Sequence, residues 1–262
     1  MKISNQFSIN RMALLYKQFI FLSGKQILIV FGSTIGLIVG FHAFMYFVNR
    51  SQLGKTKIVD EYHISVFLFV FFGGCLIWCG QAFPAFRSKE KNMEYLMTPT
   101  SAFEKFLFEF INRIIIYIIG FPIFYWIFTN IVTGIFHVYY PDYLNYKFGF
   151  DVLFSNLSGR EITLIISLTL LMFTIPFTGA TYFQKMPLLK TILIVALFVG
   201  IYFGIGYLMV QGLNVEEYRP ANKSILFMKN EEDAKLAGIF AAILANIVLL
   251  TICYFKVQEK EV

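Results

Sequence analysis

The sequence predicts an all-α integral membrane protein with six transmembrane helices, and three observations lead to that fold class. Of the 262 residues, 58% are hydrophobic and 15% are charged, whereas a soluble domain usually carries about 25% charged residues. The mean hydropathy is +0.67. The apolar residues gather into runs of about 20, the length that a helix needs to cross a hydrocarbon core of about 30 Å. A chain of this composition has too few water-compatible groups to cover a globular surface.

Six apolar runs supply the predicted spans, and together they make one transmembrane domain over residues 1–262. Each run is apolar on all sides, unlike a membrane barrel strand, which alternates apolar and polar residues over about 10 positions. Backbone N–H and C=O groups in a bilayer must be paired within their own segment, so each run is predicted to be helical. The spans are predicted at residues 27–48, 64–83, 114–136, 162–183, 188–212 and 236–254.

Local signals mark where several of these helices begin or turn. Ser101 and Glu104, like Ser158 and Glu161, have the spacing of a capping box, in which each side chain accepts a hydrogen bond from the other residue's backbone N–H. These boxes predict the starts of the helices that contain the third and fourth spans. The short connection 184–187 predicts that the fourth and fifth spans pack as an antiparallel pair.

Lysine and arginine in the connections predict the orientation of the chain. The side that receives the N-terminal segment carries 13 basic residues, and the opposite side carries 9. The N-terminal segment has four basic residues and no acidic one, and the first segment usually dominates orientation. Both termini are therefore predicted to lie in the cytoplasm. The net charge of +6 fits anionic lipid at that face; no basic-aromatic platform stands outside the bilayer, so a nucleic-acid partner is not expected.

The segment 7–20 has the pattern of an amphipathic helix. Apolar residues recur at helical spacing, and Arg11 and Lys17 lie off that apolar face. A basic amphipathic helix of this kind typically lies in the membrane interface. We therefore predict an interfacial helix before the first span, with its apolar face formed by Ile9, Met12, Tyr16, Phe19 and Ile20.

The segment 86–107, between the second and third spans, combines charge with apolar residues. It opens with a dense group of charges, continues with apolar side chains, and turns at Pro99 before the Ser101 capping box. A short helix with protruding apolar side chains at the membrane surface is typical of a segment that docks into a groove on a soluble partner. A solvated loop is the alternative. The residues predicted to make the contact are Glu90, Lys91, Met93, Glu94, Leu96, Met97, Pro99, Ser101, Glu104 and Lys105.

Few residues suit catalysis or cofactor binding. Residues 54–56 look like the end of a phosphate-binding loop, but Asn49 stands where that loop requires its first glycine. Cys75 and Cys79 lie one helical turn apart, and no histidine stands in the same run to complete a metal site. Two small buried apolar residues are the simpler interpretation of this pair. No catalytic residue, cofactor or metal is therefore predicted on this chain.

The interiors of the predicted spans also hold few ionisable groups. His42, His63 and His137 fall near predicted outer ends of spans, where interfacial packing is expected. Proton- or sodium-coupled transporters and intramembrane hydrolases normally keep acidic or basic residues at depth. The pattern argues against both classes, and a motor outside the chain would remove the need for such residues.

Glycine spacing predicts close helix packing. Gly32, Gly36 and Gly40 recur at four-residue intervals in the first span, and Gly200 and Gly204 repeat the interval in the fifth. Small residues at this spacing let the backbone of another helix approach. The other helix belongs either to the same subunit or to a neighbouring one.

Three stretches give the sequence a resemblance to a known family. They are residues 73–75 in the second span, 86–90 after it, and 95–107 leading into the third span. In these stretches and in its layout, the chain resembles the permease subunits of ATP-binding-cassette exporters of the second type, in particular small bacterial members. The resemblance implies a permease dimer bound to two cytoplasmic ATPase subunits that hold ATP and Mg²⁺, with the loop after span two transmitting ATPase closure. The outer connection 213–229 departs from the family, because it shows no pair of re-entrant amphipathic helices.

The predicted function is that of a non-catalytic transmembrane subunit of an ATP-driven exporter. Its expected partners are a cytoplasmic ATP-binding-cassette ATPase, a second permease copy or paralogue, and the lipid bilayer of the bacterial inner (plasma) membrane. Two alternatives stay open. A membrane-embedded enzyme would be indicated by a buried constellation of acids or histidines, and co-purification of an ATPase would decide against a membrane assembly protein without transport activity.

Overall fold

The computed structural model describes residues 8–48, 56–87, 100–139, 148–154, 157–212 and 231–260. Throughout these ranges the regular secondary structure is helical, which confirms the predicted all-α class. The helices are α1 (Ile9–Val48), α2 (Thr56–Gly80), α3 (Ala102–Phe110), α4 (Ile116–Tyr139), α5 (Asp151–Phe154), α6 (Gly159–Tyr182), α7 (Pro187–Gly212) and α8 (Glu231–Glu259). A 3-10 turn, Pro84–Arg87, follows α2, and a π-helical turn, Ile111–Ile115, joins α3 to α4.

Among the described residues, five segments are long and apolar enough to cross a membrane, so the chain has the helices of a multi-pass membrane protein. These segments fall in the first, second, third, fourth and sixth predicted spans. They are Ile27–Phe44, His63–Gly80, Ala102–Tyr139, Gly159–Tyr182 and Lys235–Glu259. The fifth predicted span falls in α7, whose described apolar stretch is Pro187–Ile201. The count of six spans stays a prediction.

Helix α1 joins two elements that the sequence pattern separates. It runs without a break over 40 residues, whereas the pattern predicts an interfacial helix at 7–20 and a separate span from residue 27. Gly24 lies between the two, and one interior glycine costs a helix only about 1 kcal/mol relative to alanine. A helix of 40 residues is about 60 Å long, about twice the thickness of a hydrocarbon core. Its first half therefore extends beyond the core when its second half crosses it.

Both predicted capping boxes are formed. Ser101 Oγ accepts a hydrogen bond from Glu104 N at 3.3 Å, and Glu104 Oε2 accepts one from Ser101 N at 2.9 Å. Ser158 and Glu161 exchange the corresponding bonds at 3.4 and 2.8 Å. Helices α3 and α6 begin at the next residue in each case, as predicted. The helical segment of the third span therefore starts at 102, well before its apolar run at 114.

The packing of the chain divides it into two compact units. Unit 1 comprises residues 1–75 and 98–156, and unit 2 comprises residues 76–97 and 157–262. In unit 1, aromatic rings fill the space between α2, α4 and the residues before α5. Phe67 contacts Tyr125 and Phe148 at centroid distances of 5.1 and 6.3 Å. Each of these rings is buried, so they supply much of the apolar core of this unit.

In unit 2, helix α6 packs against both α7 and α8. Only residues 183–186 connect α6 to α7, which confirms the predicted tight connection. A Cβ atom at Gly179 would overlap the side chain of Thr191, so the two helices approach closely at this point.

Polar groups join α6 to α8 within the same unit. Asn246 Nδ2 donates to Ser167 O at 3.1 Å, and Thr174 Oγ1 donates to Asn246 Oδ1 at 2.8 Å. Both ends of the buried amide are thus satisfied by α6. In apolar surroundings such bonds hold helices in one register.

Candidate functional site

The candidate site lies in unit 1, where the first turn of α1 meets the first turn of α3. We call it the Glu104 anchor and define it by Ser8, Arg11, Ser101 and Glu104. Each turn is built by a local signal. Ser101 caps α3, and Ser8, which precedes α1, accepts the first helical bond of α1 from Met12 N at 3.1 Å.

One carboxylate serves both helix ends. Glu104 Oε2 accepts from Ser101 N at 2.9 Å, completing the capping box of α3. Glu104 Oε1 accepts from Ser8 N at 2.8 Å, the bond that a glutamate within α1 would make in a second capping box. A negative charge beside two helix N-termini is also favoured by both helix dipoles.

Arg11 compensates the buried charge. Its Nη2 and Nε atoms lie 2.9 and 3.1 Å from Glu104 Oε1. The Glu104 side chain is fully buried and that of Arg11 is 20% exposed. Because removing one partner of a buried ion pair typically costs about 3–5 kcal/mol, this pair holds α1 and α3 together.

A second polar layer follows along α3 and the π-helical turn. Lys105, Glu109, Asn112 and Arg113 are all buried, and Arg113 Nε lies 3.2 Å from Glu109 Oε2. The guanidinium of Arg113 also lies over the Phe19 ring of α1, 5.5 Å from its centroid. π-helical turns occur frequently at functional sites, and here the turn carries two of the buried polar side chains.

Aromatic side chains of α1 pack against α3 beside the Glu104 anchor. The Tyr16 and Phe19 rings meet the Phe108 ring edge to face, at centroid distances of 4.8 and 5.7 Å. Burial raises the pKa of the Tyr16 hydroxyl above its ordinary value. The contact between α1 and α3 therefore combines a buried ion pair with packed aromatic rings.

Of the residues predicted to contact an ATPase, the structure describes only some. Glu90, Lys91, Met93, Glu94, Leu96, Met97 and Pro99 lie outside the described residues. Ser101 caps α3 as predicted. Glu104 and Lys105 have only 0% and 2% of their surface exposed, so neither offers the accessible side chain that a docking contact requires. Glu104 instead turns inward, because Arg11 and two backbone N–H groups neutralise and solvate its carboxylate.

The residues of the predicted apolar face of the N-terminal helix are partly packed and partly exposed. Tyr16 and Phe19 contact Phe108 within the chain, whereas Ile9 and Ile20 are exposed. Arg11, placed off the apolar face by its charge, points to Glu104 and so belongs to the packed side. The signal that could have indicated this is the presence of complementary charges in both segments, but 93 residues separate them.

A buried histidine pair in unit 1 was not anticipated as a cluster. His42 and His63 are both buried, with ring centroids 5.0 Å apart. The His42 nitrogens lie 2.8 Å from Ile38 O and 3.0 Å from Thr133 Oγ1. Within the described ranges, no group of three or more histidines, cysteines or acids is arranged to hold a metal ion.

The glycines predicted to pack have open space around them. A Cβ atom added at Gly32, Gly36, Gly40, Gly200 or Gly204 would meet nothing within 4 Å. In the part of the chain that the structure describes, no other helix therefore approaches these positions. Packing against a neighbouring subunit, the other interpretation of the spacing, stays a prediction.

Comparison with known proteins adds no relative: no family model, no curated protein and no solved structure matches the chain.

Proposed function

We propose that the chain is the transmembrane permease subunit of an ATP-driven exporter, and that it forms the translocation path as a dimer with a second copy or a paralogue. ATP and Mg²⁺ bind to a separate cytoplasmic ATPase, so this chain is not itself an enzyme. In this proposal it lies in the bacterial inner membrane with both termini in the cytoplasm. The resemblance of residues 73–75, 86–90 and 95–107 to permeases of this type motivates the proposal.

The Glu104 anchor is the structural observation that supports this proposal. An ATPase can move a membrane helix only if the connection between them is rigid. The capping box fixes the first turn of α3, and the ion pair between Glu104 and Arg11 ties that turn to α1. Residues 90–99, the proposed contact, come directly before this turn in the chain. A force applied to them would reach the third span and α1 together.

The contact itself has the composition of a docking surface. Met93, Leu96 and Met97 are proposed to fill a groove on the ATPase, with Glu90, Lys91 and Glu94 at the rim to set the orientation. Interfaces of this kind have an apolar centre that supplies affinity and a charged rim that supplies specificity. Glu104 and Lys105 are positioning residues behind this surface, because both are buried within the chain.

Replacing Leu96 by aspartate tests the contact. The charge would be buried in the groove, which costs roughly 3–5 kcal/mol when it has no partner, equivalent to a loss of binding of about 100-fold or more. We expect the tagged Leu96→Asp chain to reach the membrane at normal levels and to lose the ATPase in a pull-down. Ser88→Asp is the matched control, since it adds the same charge to the charged part of the segment.

Two results would count against the proposal at different levels. Retention of the ATPase by Leu96→Asp at the strength of the unmodified chain would show that the contact lies elsewhere. Absence of any ATPase from preparations of the unmodified chain, under conditions that preserve membrane complexes, would contradict the exporter function itself.

A further inference from the structure

Basic side chains gather at one end of unit 2, where α6 ends, α7 begins and α8 ends. The 3-10 turn after α2 reaches the same place, because Lys260 of α8 contacts the ring of Phe86. We call this region the basic end. It comprises Arg87, Lys185, Lys190, Lys256 and Lys260.

Three of these cations lie over aromatic rings. Lys260 Nζ is 4.1 Å from the centroid of Phe86, Lys256 Nζ is 5.4 Å from that of Tyr182, and Lys190 Nζ is 5.7 Å from that of Phe183. Aromatic rings and lysines at the ends of apolar helices are typical of the membrane–water interface. The arrangement therefore places positive charge at the depth of lipid headgroups.

Lys260 makes a polar contact that does not cancel its charge. Its Nζ donates to Thr181 O at 2.7 Å, and Arg87 Nη2 of the same region donates to Gly80 O at 3.1 Å. The Thr181 carbonyl lies at the end of α6, and a neutral carbonyl accepts a hydrogen bond from Lys260 without neutralising it. Burial lowers the pKa of Lys260, and the neighbouring positive charge of Lys256 lowers it further.

The opposite end of the same helices carries acids beside its cations. Arg160 pairs with Glu232, and Lys235 Nζ lies 2.9 Å from Glu161 Oε1 and 3.9 Å from Glu232 Oε1. Asp233 adds a further acid at that end. At the basic end, the described residues place one carboxylate, Glu259, beside the cations, 2.5 Å from Lys256. Among the described residues, the excess of positive charge therefore lies at one end of the helix pair.

We propose that the basic end is a binding site for the phosphodiester headgroup of an acidic phospholipid. An anionic headgroup supplies the counter-charge that the Thr181 carbonyl does not give Lys260, and its acyl chains would lie along the exposed apolar side chains of α7, among them Leu193 and Leu197. Basic residues at the membrane surface favour anionic lipid by about 1 kcal/mol each. This inference does not depend on the exporter function.

Lipid retention by the purified full chain tests the site. We would exchange the detergent-solubilised protein into nanodiscs or mixed micelles containing phosphatidylglycerol or phosphatidylcholine, and measure bound lipid by native mass spectrometry. The expected result is preferential retention of phosphatidylglycerol, weakened by added salt. The double variant Lys185→Gln/Lys190→Gln keeps the hydrogen bonds made by Lys260 and Arg87. We expect it to lose affinity roughly fivefold per lysine, the change that corresponds to about 1 kcal/mol.

Lys235→Gln is the matched control, because this lysine belongs to the same helix pair but lies at the opposite end, beside carboxylates. It should retain phosphatidylglycerol as the unmodified chain does. The soluble headgroup analogue glycerol 3-phosphate should not compete at millimolar concentration, since it lacks acyl chains. Equal retention of the two lipids, an equal effect of Lys235→Gln, or full competition by glycerol 3-phosphate would overturn the proposal.

Discussion

At the scale of single residues, buried charge determines which parts of the chain must stay together. Glu104 is buried with both oxygens occupied, one by the start of α3 and the other by Ser8 and Arg11 of α1. A neutral glutamine at 104 would keep much of the shape but remove the negative charge that Arg11 contacts. The exposed pair of Arg160 and Glu232 provides the opposite case, because water solvates both of its partners.

The anchor is therefore expected to contribute far more stability than the surface pair. Glu104→Gln is expected to cost about 3 kcal/mol, the lower part of the range for breaking a buried pair, because Arg11 retains partial access to water. Glu232→Gln should change stability by no more than about 1 kcal/mol. Thermal or denaturant unfolding in detergent measures both. The double variant Arg11→Gln/Glu104→Gln should be less destabilised than the sum of the single changes. Equal effects of Glu104→Gln and Glu232→Gln would contradict the role of the anchor.

At the scale of the elements, glycine spacing and glycine packing prove to be different properties. The regular series Gly32, Gly36 and Gly40 has open space around it, whereas Gly179, outside any such series, meets Thr191 of the adjacent helix. Spacing describes one helix face, but packing depends on which second helix lies opposite that face. The short connection of residues 183–186 keeps α6 and α7 adjacent, so a second helix lies opposite Gly179.

These two environments predict opposite outcomes for similar substitutions. Gly179→Val would overlap Thr191, and we expect overpacking to destabilise the subunit by about 1–3 kcal/mol. Gly36→Leu should leave the melting temperature of the isolated subunit unchanged. If the series instead packs against a second subunit, Gly36→Leu should reduce the oligomer, as seen by size-exclusion chromatography with light scattering. A lowered melting temperature for monomeric Gly36→Leu would show that a helix of the same chain packs there.

At the scale of the whole molecule, orientation is the property on which the proposed function depends. The distribution of basic residues predicts that both termini and the segment 86–107 face the cytoplasm. The proposal places the ATPase on that side. The three cysteines, Cys75, Cys79 and Cys253, are buried, so introduced cysteines can be labelled against a low background.

Impermeant thiol reagents applied to intact cells test this orientation. Cysteines introduced at Ser88 and Val262 should be protected, and one at Asn222 should react, because these positions lie on opposite predicted sides. Ser88 and Val262 should react once the membrane is permeabilised, which controls for intrinsic reactivity. Labelling of Ser88→Cys from outside intact cells would show that the predicted orientation is wrong. The proposed contact would then lie on the opposite side of the membrane from a cytoplasmic ATPase.

The parts of the site that follow from neighbouring residues were predictable, and the parts that need distant residues were not. Ser101 and Glu104 form their capping box because both lie in one helical turn, and the spacing alone indicates it. The second role of the same carboxylate, toward Ser8 and Arg11, joins residues more than 90 positions apart. Any of several basic residues could have supplied that charge, and the sequence does not rank them.

Local sequence patterns are enough to predict that this protein is helical, that its helices suit a membrane, and where α3 and α6 begin. The transfer of apolar side chains out of water and the capping of helix ends act within a single segment, so they can be read from neighbouring residues. Contacts between distant segments determine that Glu104 turns inward and that Gly179, outside the regular glycine series, is packed. These outcomes depend on which segments meet in space, because burial, ion pairing and steric overlap are properties of two segments rather than one.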